Sequence, residues 1–302
     1  MSNIHLLSSL FKKYLDNRRF YFKLFNRHVS DFREFPVYFS KDVLNIMKSL
    51  PSLIFNTNKV IRKVNRVRFP FYFNEYARYR GLYLGLGNKM VVKTLLRYLK
   101  KGSIFIDVGA NIGHISAIGL GCVGRSGQVH SFEPVPMYFE KLLHMKMLNK
   151  KFSNIFLNNF ALGETYGTMN IDVNKNIWGW NTLVPNLMNP SGIKTRLEVN
   201  IKRLDDYIFQ NNLKNISLIK IDVEGFEIPV LKGLSSYFEE VDILPNLLIE
   251  VSPSAYQLLG YKLEDLENLL KKLSYKAYYP NSKNKFDIRQ ISNWADVLFI
   301  QK

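Results

Sequence analysis

The sequence is poor in cysteine and lacks long apolar runs. Cys122 is the single cysteine among 302 residues, which excludes an intramolecular disulfide and a cysteine-rich zinc site. No stretch approaches the roughly 18 consecutive apolar residues that cross a bilayer as a helix. The N-terminal residues also lack the apolar segment and small-residue cleavage site of a signal peptide. We therefore expect a cytoplasmic protein, with a peripheral position at the inner face of the membrane left open.

Acidic residues are scarce in the first third of the chain. Residues 1–101 carry 21 Lys or Arg against 5 Asp or Glu, whereas residues 102–302 carry 21 against 20. Nearly all of the net charge of +17 therefore lies in the first third. Such an asymmetry favours contact with an anionic partner, although an ordinary solvated surface explains it equally well.

Aromatic and basic residues alternate over residues 1–70, and apolar residues recur there at steps of three and four. This spacing predicts short amphipathic helices. We expect residues 1–84 to form a basic, mainly helical extension that covers a substrate pocket or contacts an anionic membrane surface. Nucleic acid is the least favoured partner, because no recognisable binding module accompanies the charge.

From residue 85 to residue 302, apolar strands alternate with amphipathic helices. This alternation predicts a mostly parallel α/β sheet with helices on both faces. The predicted strands of the main sheet are 103–108, 128–132, 154–160, 217–221 and 246–251, closed by an antiparallel pair at 275–279 and 296–300. Two further strands are predicted at 168–173 and 197–201.

A glycine turn follows the first of these strands and carries the strongest signal in the chain. The residues from Ile104 to Gly113 are Ile-Phe-Ile-Asp-Val-Gly-Ala-Asn-Ile-Gly. A buried strand, a tight turn and a helix start are typical of the place where such sheets bind nucleotide-type ligands. The Gly-x-Gly-x-x-Gly pattern of dinucleotide sites is absent, because the chain reads Gly109-Ala110-Asn111-Ile112-Gly113 and the middle glycine is missing. Asp107 would repel a pyrophosphate but could hold an ammonium group, which favours S-adenosylmethionine.

The second strand ends at Glu133-Pro134, where proline prevents the strand from continuing. An ionised carboxylate at this tip can accept hydrogen bonds from both hydroxyls of a ribose. The same acidic residue would also suit a dinucleotide, so Glu133 does not distinguish the two cofactors.

Acidic residues cluster after the fourth predicted strand, at Asp222, Glu224 and Glu227, with Lys220 two residues before them. A sugar hydroxyl is a poor nucleophile, so a carboxylate near its proton would act as general base. Asp222 is the first candidate for the base, Glu224 and Glu227 are the second, and strand alternation places Lys220 on the same face as Asp222. A capped turn with solvated acids is the alternative. Three carboxylates could hold Mg²⁺, but we do not expect a metal.

The loop that contains Trp178, Trp180 and Asn181 is rich in groups that stack on sugar rings and bond hydroxyls. Glycan binding and core packing explain this loop equally well. His114 follows the glycine turn and could contact the methionine carboxylate or act as a base, although a helix N-terminal residue is the more common role.

Five short blocks of sequence, in the same order as in that family, resemble the FkbM family of S-adenosylmethionine-dependent methyltransferases. The blocks are residues 105–113, 131–134, 159–163, 204–207 and 219–227. The resemblance implies a class I methyltransferase fold, a Rossmann-like seven-stranded sheet, and methylation of a hydroxyl oxygen. It also implies a cofactor site in which three sets of residues contact the methionine, the ribose and the adenine: Asp107, Gly109, Ala110, Asn111 and Gly113; Glu133 and Pro134; and Asn159 and Ala161.

The sequence therefore predicts an O-methyltransferase domain over residues 85–302 that uses S-adenosylmethionine. The predicted acceptor is a hydroxyl of a glycan, a glycolipid or a polyhydroxylated metabolite, with lipid-linked sugars included. One alternative is a nicotinamide-dependent oxidoreductase. Another is a binding protein that uses the basic first third on a membrane or nucleic acid and carries an inert methyltransferase fold.

Overall fold

The computed structural model describes residues 59–72, 89–174, 181–188 and 195–301. The chain divides into two units between Asn56 and Thr57, and all the described residues belong to the second. The strands are β1 Lys59–Val64, β2 Val67–Tyr72, β3 Ile104–Val108, β4 Gln128–Phe132, β5 Ile155–Asn158, β6 Ala161–Leu162, β7 Gly167–Val173, β8 Asn181–Thr182, β9 Thr195–Lys202, β10 Ile216–Ile221, β11 Asn246–Val251, β12 Tyr275–Tyr278 and β13 Ala295–Gln301. The helices are α1 Lys89–Tyr98, α2 His114–Val123, α3 Pro136–Leu148, α4 Leu204–Gln210, α5 Glu227–Lys232, α6 Ser235–Glu240, α7 Pro253–Leu258 and α8 Leu263–Lys272.

A seven-stranded sheet forms the centre of this unit, with the strand order β12-β13-β11-β10-β3-β4-β5. Strands β11, β10, β3, β4 and β5 run parallel to one another, and β13 runs antiparallel to β11 and β12. The strand order reverses between β3 and β10, so the turn after β3 lies where open α/β sheets bind ligands. The predicted sheet, including its antiparallel closing pair, is confirmed.

The central strands are buried because their residues are apolar on both faces. In β3, Phe105, Ile106 and Val108 are at most 1% exposed. Helix α2 packs against β3 and β4, α3 packs against β5, and α5 packs against β11. Such covering by helices suits near-continuous apolar strands in a parallel sheet.

A second sheet of four short strands has the order β6-β9-β7-β8. Strands β7 and β9 pair antiparallel from Gly167 opposite Ile201 to Val173 opposite Thr195. The two predicted extra strands are therefore confirmed. This sheet brings β6 and the start of β8 to the edge of the site described below.

Strands β1 and β2 form a hairpin where the sequence analysis predicts amphipathic helices. Asn65 and Arg66 both have positive φ, at 44° and 72°, as a two-residue hairpin turn requires. Val67, Phe69 and Phe71 occupy every second position of β2 and are buried, and β2 packs against α2 and α3. The helical prediction is thus wrong for residues 59–72, because a period of two governs this stretch. The rest of the predicted extension, 1–58 and 73–84, lies outside the described residues.

None of the helices in the described ranges is long and apolar enough to cross a bilayer.

Candidate active site

A cavity lies at the carboxyl ends of β3, β4 and β10. Its walls are the turn after β3, the tip of β4, the residues around β6 and the loop after β10. The lining residues are Val108, Gly109, Ala110, Asn111, Ile112, His114, Ile115, Phe132, Glu133, Pro134, Phe160, Ala161, Leu162, Ile171, Asn181, Leu183, Lys220, Asp222, Val223 and Glu224. The cavity therefore combines residues from four of the five blocks that carry the family resemblance.

The glycine turn is held in a conformation that favours residues without a side chain. Gly109 has φ 78°, and a Cβ atom on it would overlap the backbone carbonyl oxygen of Asp222. Gly113 has φ 83°, and a Cβ atom there would lie 2.6 Å from Cδ2 of Leu142. These two glycines allow the turn to approach β10 on one side and α3 on the other.

Glu133 lies at the tip of β4 and is 5% exposed. Its Oε2 accepts a hydrogen bond from the backbone N–H of Asn111 at 2.8 Å, and its Oε1 accepts one from Val135 at 2.9 Å. Burial raises the pKa of Glu133 to about 7, although these two hydrogen bonds lower it. Each oxygen keeps a further lone pair, which is the acceptor capacity that the predicted contact with a ribose diol requires.

Asp107 lies elsewhere than the sequence analysis predicts. Because β3 continues to Val108, the carboxyl group of Asp107 lies below the strand tip, is 0% exposed and is not among the residues that line the cavity. Its Oδ2 accepts a hydrogen bond from Ser116 at 2.5 Å, and its Oδ1 lies 3.7 Å from Nζ of Lys220. Burial raises its pKa, against the opposing effect of Lys220. Asp107 thus lies beneath the floor of the site. Its position does not favour direct contact with the ammonium group of a cofactor.

Lys220 connects this floor to the open part of the cavity. Its Nζ lies 2.9 Å from Oδ2 of Asp222, the residue that strand alternation placed on the same face. The lysine side chain is 3% exposed and that of Asp222 is 27% exposed. The carboxylate of Asp222 therefore faces the cavity, and its cationic partner is buried behind it. Burial lowers the pKa of Lys220, but Asp222 and Asp107 together raise it above its usual value. Lys220 therefore remains a cation.

The other two acids of the cluster differ in position. Glu224 lines the cavity, has φ 53°, and its backbone carbonyl accepts a hydrogen bond from Oγ1 of Thr182 at 2.7 Å. Glu227 is 0% exposed and does not line the cavity. Its Oε1 accepts hydrogen bonds from the N–H groups of Val223 and Gly225 at 3.1 and 3.0 Å. Glu227 thus holds the turn that presents Glu224, in place of the catalytic role that the sequence analysis gave it as a second choice.

Glu250, which the sequence analysis did not consider, lies beside Asp222 and Glu224. One carboxylate oxygen from each of the three lies within 4.8 Å of the others. Burial and the neighbouring charges, Asp222 first, raise the pKa of Glu250. The signal was present in the sequence, because Glu250 lies near the carboxyl end of a predicted strand, as Glu133 lies just after another. These three carboxylates could hold a divalent cation, with Glu250 in the place that the sequence analysis gave to Glu227.

The residues predicted to border the adenine and the acceptor fall into three groups. Ala161 and Asn181 line the cavity, together with Phe160 and Leu162. Asn159 does not line it; its Nδ2 donates to the carbonyl oxygens of Glu133 and Pro134 at 2.8 and 3.0 Å, and so fixes the tip of β4. Trp178 and Trp180 lie outside the described residues.

The lining fits S-adenosylmethionine better than a dinucleotide. Lys220 is the one Lys or Arg among the residues that line the described cavity, and it is already paired with Asp222 and Asp107. A pyrophosphate would therefore find no unpaired cationic side chain there. The carboxylates of Glu133, Asp222 and Glu224 suit a ribose diol and a positively charged sulfonium ligand.

The strand order and this site together define a class I methyltransferase fold, with the cavity at the end of β3, the first strand of the main sheet along the chain. The chain belongs to the FkbM methyltransferase family, because the model of the methyltransferase FkbM domain matches residues 107–277. The members of this family are S-adenosylmethionine-dependent methyltransferases.

Individual relatives are distant. Methyltransferase sdnD of Sordaria araneosa is 27% identical over 177 residues, which cover 50% of this chain and 67% of the relative. Hexuronic acid methyltransferase AglP of Haloferax volcanii is 23% identical over 163 residues, which cover 52% of this chain and 61% of the relative. The crystal structure of an FkbM methyltransferase from Methylobacillus flagellatus has 19% sequence identity and a TM-score of 0.44, and the match covers 73% of this chain and 54% of that one. The chain thus matches between about half and two thirds of the length of these relatives.

Proposed function

We propose that this protein transfers the methyl group of S-adenosylmethionine to a hydroxyl group of a glycan, a glycolipid or a related polyhydroxylated metabolite. The observation that carries this proposal is the pair of carboxylates, Asp222 and Glu224, that face the same cavity as Glu133. One end of the cavity thus suits a ribose and the other suits a hydroxyl proton.

S-adenosylmethionine would supply an electrophilic methyl group on a sulfonium. The residues around it would position the acceptor oxygen in line with the carbon–sulfur bond, at roughly 3 to 3.5 Å from the methyl carbon. Asp222 would accept the hydroxyl proton as the new oxygen–carbon bond forms and the carbon–sulfur bond breaks. Lys220 would hold the Asp222 carboxylate in place through its contact at 2.9 Å.

A sugar acceptor is supported by the chemistry of the cavity wall and by one relative. Asn181 adds an amide, and Tyr138 donates a hydrogen bond of 3.5 Å to its Oδ1. AglP is named as a methyltransferase of hexuronic acid, which is a sugar acid. The predicted roles of Trp178 and Trp180 in stacking on a sugar stay predictions.

The test is a methyl-transfer assay with radiolabelled S-adenosylmethionine over glycans and lipid-linked sugars extracted from the host. We expect label in a saccharide fraction, and about 100-fold or greater loss of kcat in the variant Asp222→Asn. The matched control is Asp287→Asn, which makes the same change at an exposed carboxylate paired with Arg289. Label in protein or nucleic acid alone, or full activity of Asp222→Asn, would contradict the proposal.

A further inference from the structure

Four turns meet at the edge of the main sheet that lies opposite the cavity. They are the hairpin turn at 65–68 and the turns that lead into β3, β4 and β5, at 99–103, 124–127 and 149–154. Because β3, β4 and β5 are parallel, the last three turns lie together at the amino ends of the strands. The cavity lies at the carboxyl ends of β3, β4 and β10. A partner bound at one edge therefore leaves the other edge open.

Hydrogen bonds join the three turns of the main sheet to one another. The N–H of Gly102 donates to the carbonyl oxygen of Val123, the last residue of α2, at 3.0 Å. Nδ2 of Asn154 donates to the carbonyl oxygens of Gly124 and Gly127 at 2.7 and 2.6 Å. The turn before β3 is thus held at the end of α2, and the turn before β5 is held on the turn before β4.

The hairpin turn is bound to the same region. The side-chain amide of Asn149 accepts a hydrogen bond from the N–H of Arg68 at 2.8 Å and donates one to the carbonyl oxygen of Arg68 at 2.7 Å. Nδ2 of Asn65 donates to the carbonyl oxygen of Ile118, in α2, at 2.8 Å. These contacts place the hairpin turn beside the ends of α2 and α3.

The charged residues of the four turns are all basic and all exposed. They are Arg66, Arg68, Lys100, Lys101, Arg125, Lys150 and Lys151, and we call the surface that they form the basic edge. None of the seven pairs with a carboxylate among the residues that the structure describes. Like charges held close together repel one another, so an anionic surface placed against them would be attracted to all seven.

Two exposed apolar side chains accompany the basic edge. Leu96 is 52% exposed on the last turn of α1, and Met147 is 66% exposed on the last turn of α3. Lys100 follows Leu96 by four residues, and Lys150 follows Met147 by three. Such a mixture suits the interface of a bilayer, where cations meet anionic headgroups and apolar side chains enter the boundary with the acyl chains. A nucleic acid would attract the cations through its phosphates but offers exposed aliphatic side chains no comparable environment, so the mixture favours lipid.

We propose that the basic edge is a docking surface for an anionic lipid bilayer, with Leu96 and Met147 inserted at the level of the headgroups. A membrane at the amino ends of the strands leaves the cavity at their carboxyl ends open to solution. The proposal is independent of the proposed function, because binding to a bilayer requires neither S-adenosylmethionine nor an acceptor.

The test is sedimentation of the full chain with two kinds of vesicle, phosphatidylcholine alone and equal parts of phosphatidylcholine and phosphatidylglycerol. We expect the wild type to bind the mixed vesicles and to bind phosphatidylcholine alone much more weakly. A triple variant, Arg125→Gln, Lys150→Gln and Lys151→Gln, should bind the mixed vesicles about 100-fold more weakly, because each basic residue near an anionic surface contributes about fivefold.

The matched control removes the same charge elsewhere. It is the triple variant Lys262→Gln, Lys283→Gln and Lys285→Gln, at exposed positions in the segments that follow β11 and β12. We expect its affinity for the mixed vesicles to stay within about threefold of the wild type. Equal losses in the two triple variants would show that net charge alone governs binding and would overturn the proposal, as would a wild type that does not bind the mixed vesicles.

Met147→Gln separates lipid from nucleic acid, because it removes an apolar side chain and leaves the charge unchanged. We expect about tenfold weaker binding to the mixed vesicles, and binding to a duplex oligonucleotide within about twofold of the wild type. The control is Met137→Gln, at an exposed methionine on the first turn of the same helix, which should leave vesicle binding unchanged. If the wild type binds the oligonucleotide more tightly than the vesicles, and the basic-edge triple variant alone loses that binding, the surface belongs to nucleic acid and the proposal is wrong.

Discussion

The ammonium group of Lys220 lies between two carboxylates, 2.9 Å from Oδ2 of Asp222 and 3.7 Å from Oδ1 of Asp107. One of these acids faces the cavity and the other is fully buried below it. The lysine thus joins the candidate base to the core of the sheet, where register places it opposite Asp107. A change of charge at Lys220 should therefore affect both the stability of the protein and the carboxylate of Asp222.

Replacement of Lys220 by Met should destabilise the protein, because it leaves the buried Asp107 carboxyl without its cation. Removal of one partner from a buried ion pair costs about 3–5 kcal/mol. Urea unfolding at pH 7.5 would measure this, and the double variant with Asp107→Asn should recover part of the loss. The control is Lys271→Met, which removes an exposed lysine paired with the half-buried Glu267 at 2.7 Å and should cost less than about 1 kcal/mol. An equal cost for the two single variants would contradict the buried pairing.

Gly109→Ala should abolish cofactor binding, whereas Gly260→Ala should not. The two glycines have nearly the same φ, 78° and 77°, so an alanine costs about 1–2 kcal/mol at either position for backbone conformation alone. A Cβ atom on Gly109 would also overlap the carbonyl oxygen of Asp222, whereas one on Gly260 meets no atom within 4 Å. Thermal melting with and without S-adenosylmethionine would separate the two effects. Normal ligand stabilisation of Gly109→Ala would show that the turn can move away from β10.

The sheet was predictable because each central strand is a short apolar run followed by a turn. The hairpin at 59–72 was not, because aromatic and basic residues there satisfy helical spacing locally. The alternation of Val67, Phe69 and Phe71 becomes decisive only when α2 and α3 provide a surface to cover. Local spacing cannot report which surface a segment will meet.

The site was predictable where a residue directly follows a strand of the main sheet, as the glycine turn follows β3 and Glu133 follows β4. Glu227 and Glu250 show the limit of this reasoning. Glu227 is near Asp222 in sequence but accepts hydrogen bonds from its own loop, whereas Glu250 lies near the carboxyl end of the adjacent strand β11. The sequence analysis placed Asp107 at the tip of its strand, but the strand continues for one more residue. The carboxyl group therefore lies below the cavity and not in it.

The variant Glu227→Gln should change how stability depends on pH. Burial raises the pKa of Glu227 to about 7, from an ordinary value near 4.5, so the folded protein holds this proton more tightly than the unfolded chain. The wild type therefore loses stability as pH rises from about 4.5 to 7, by about 1–3 kcal/mol from this group. The glutamine keeps an oxygen to accept from Val223 and Gly225 and has no charge. We expect it to equal the wild type at pH 4.5 and to be more stable at pH 8.

Urea unfolding at several pH values between 4.5 and 8 would test this change. The control, Glu264→Gln, makes the same substitution at an exposed position at the start of α8. A difference between Glu227→Gln and the wild type that stays constant with pH would contradict a raised pKa of Glu227.

Glu250→Gln should distinguish a protonated carboxyl group from a metal ligand. Burial and the charges of Asp222 and Glu224 raise the pKa of Glu250, so without a cation its carboxyl group is neutral at pH 7.5. An amide of the same size would then be a close substitute, and we expect methyl transfer within about threefold of the wild type. We also expect chelation by EDTA to have no effect, because Lys220 already provides a cation 2.9 Å from Asp222. Loss of activity with EDTA that Mg²⁺ restores, together with an inactive Glu250→Gln, would instead assign Asp222, Glu224 and Glu250 to a divalent cation.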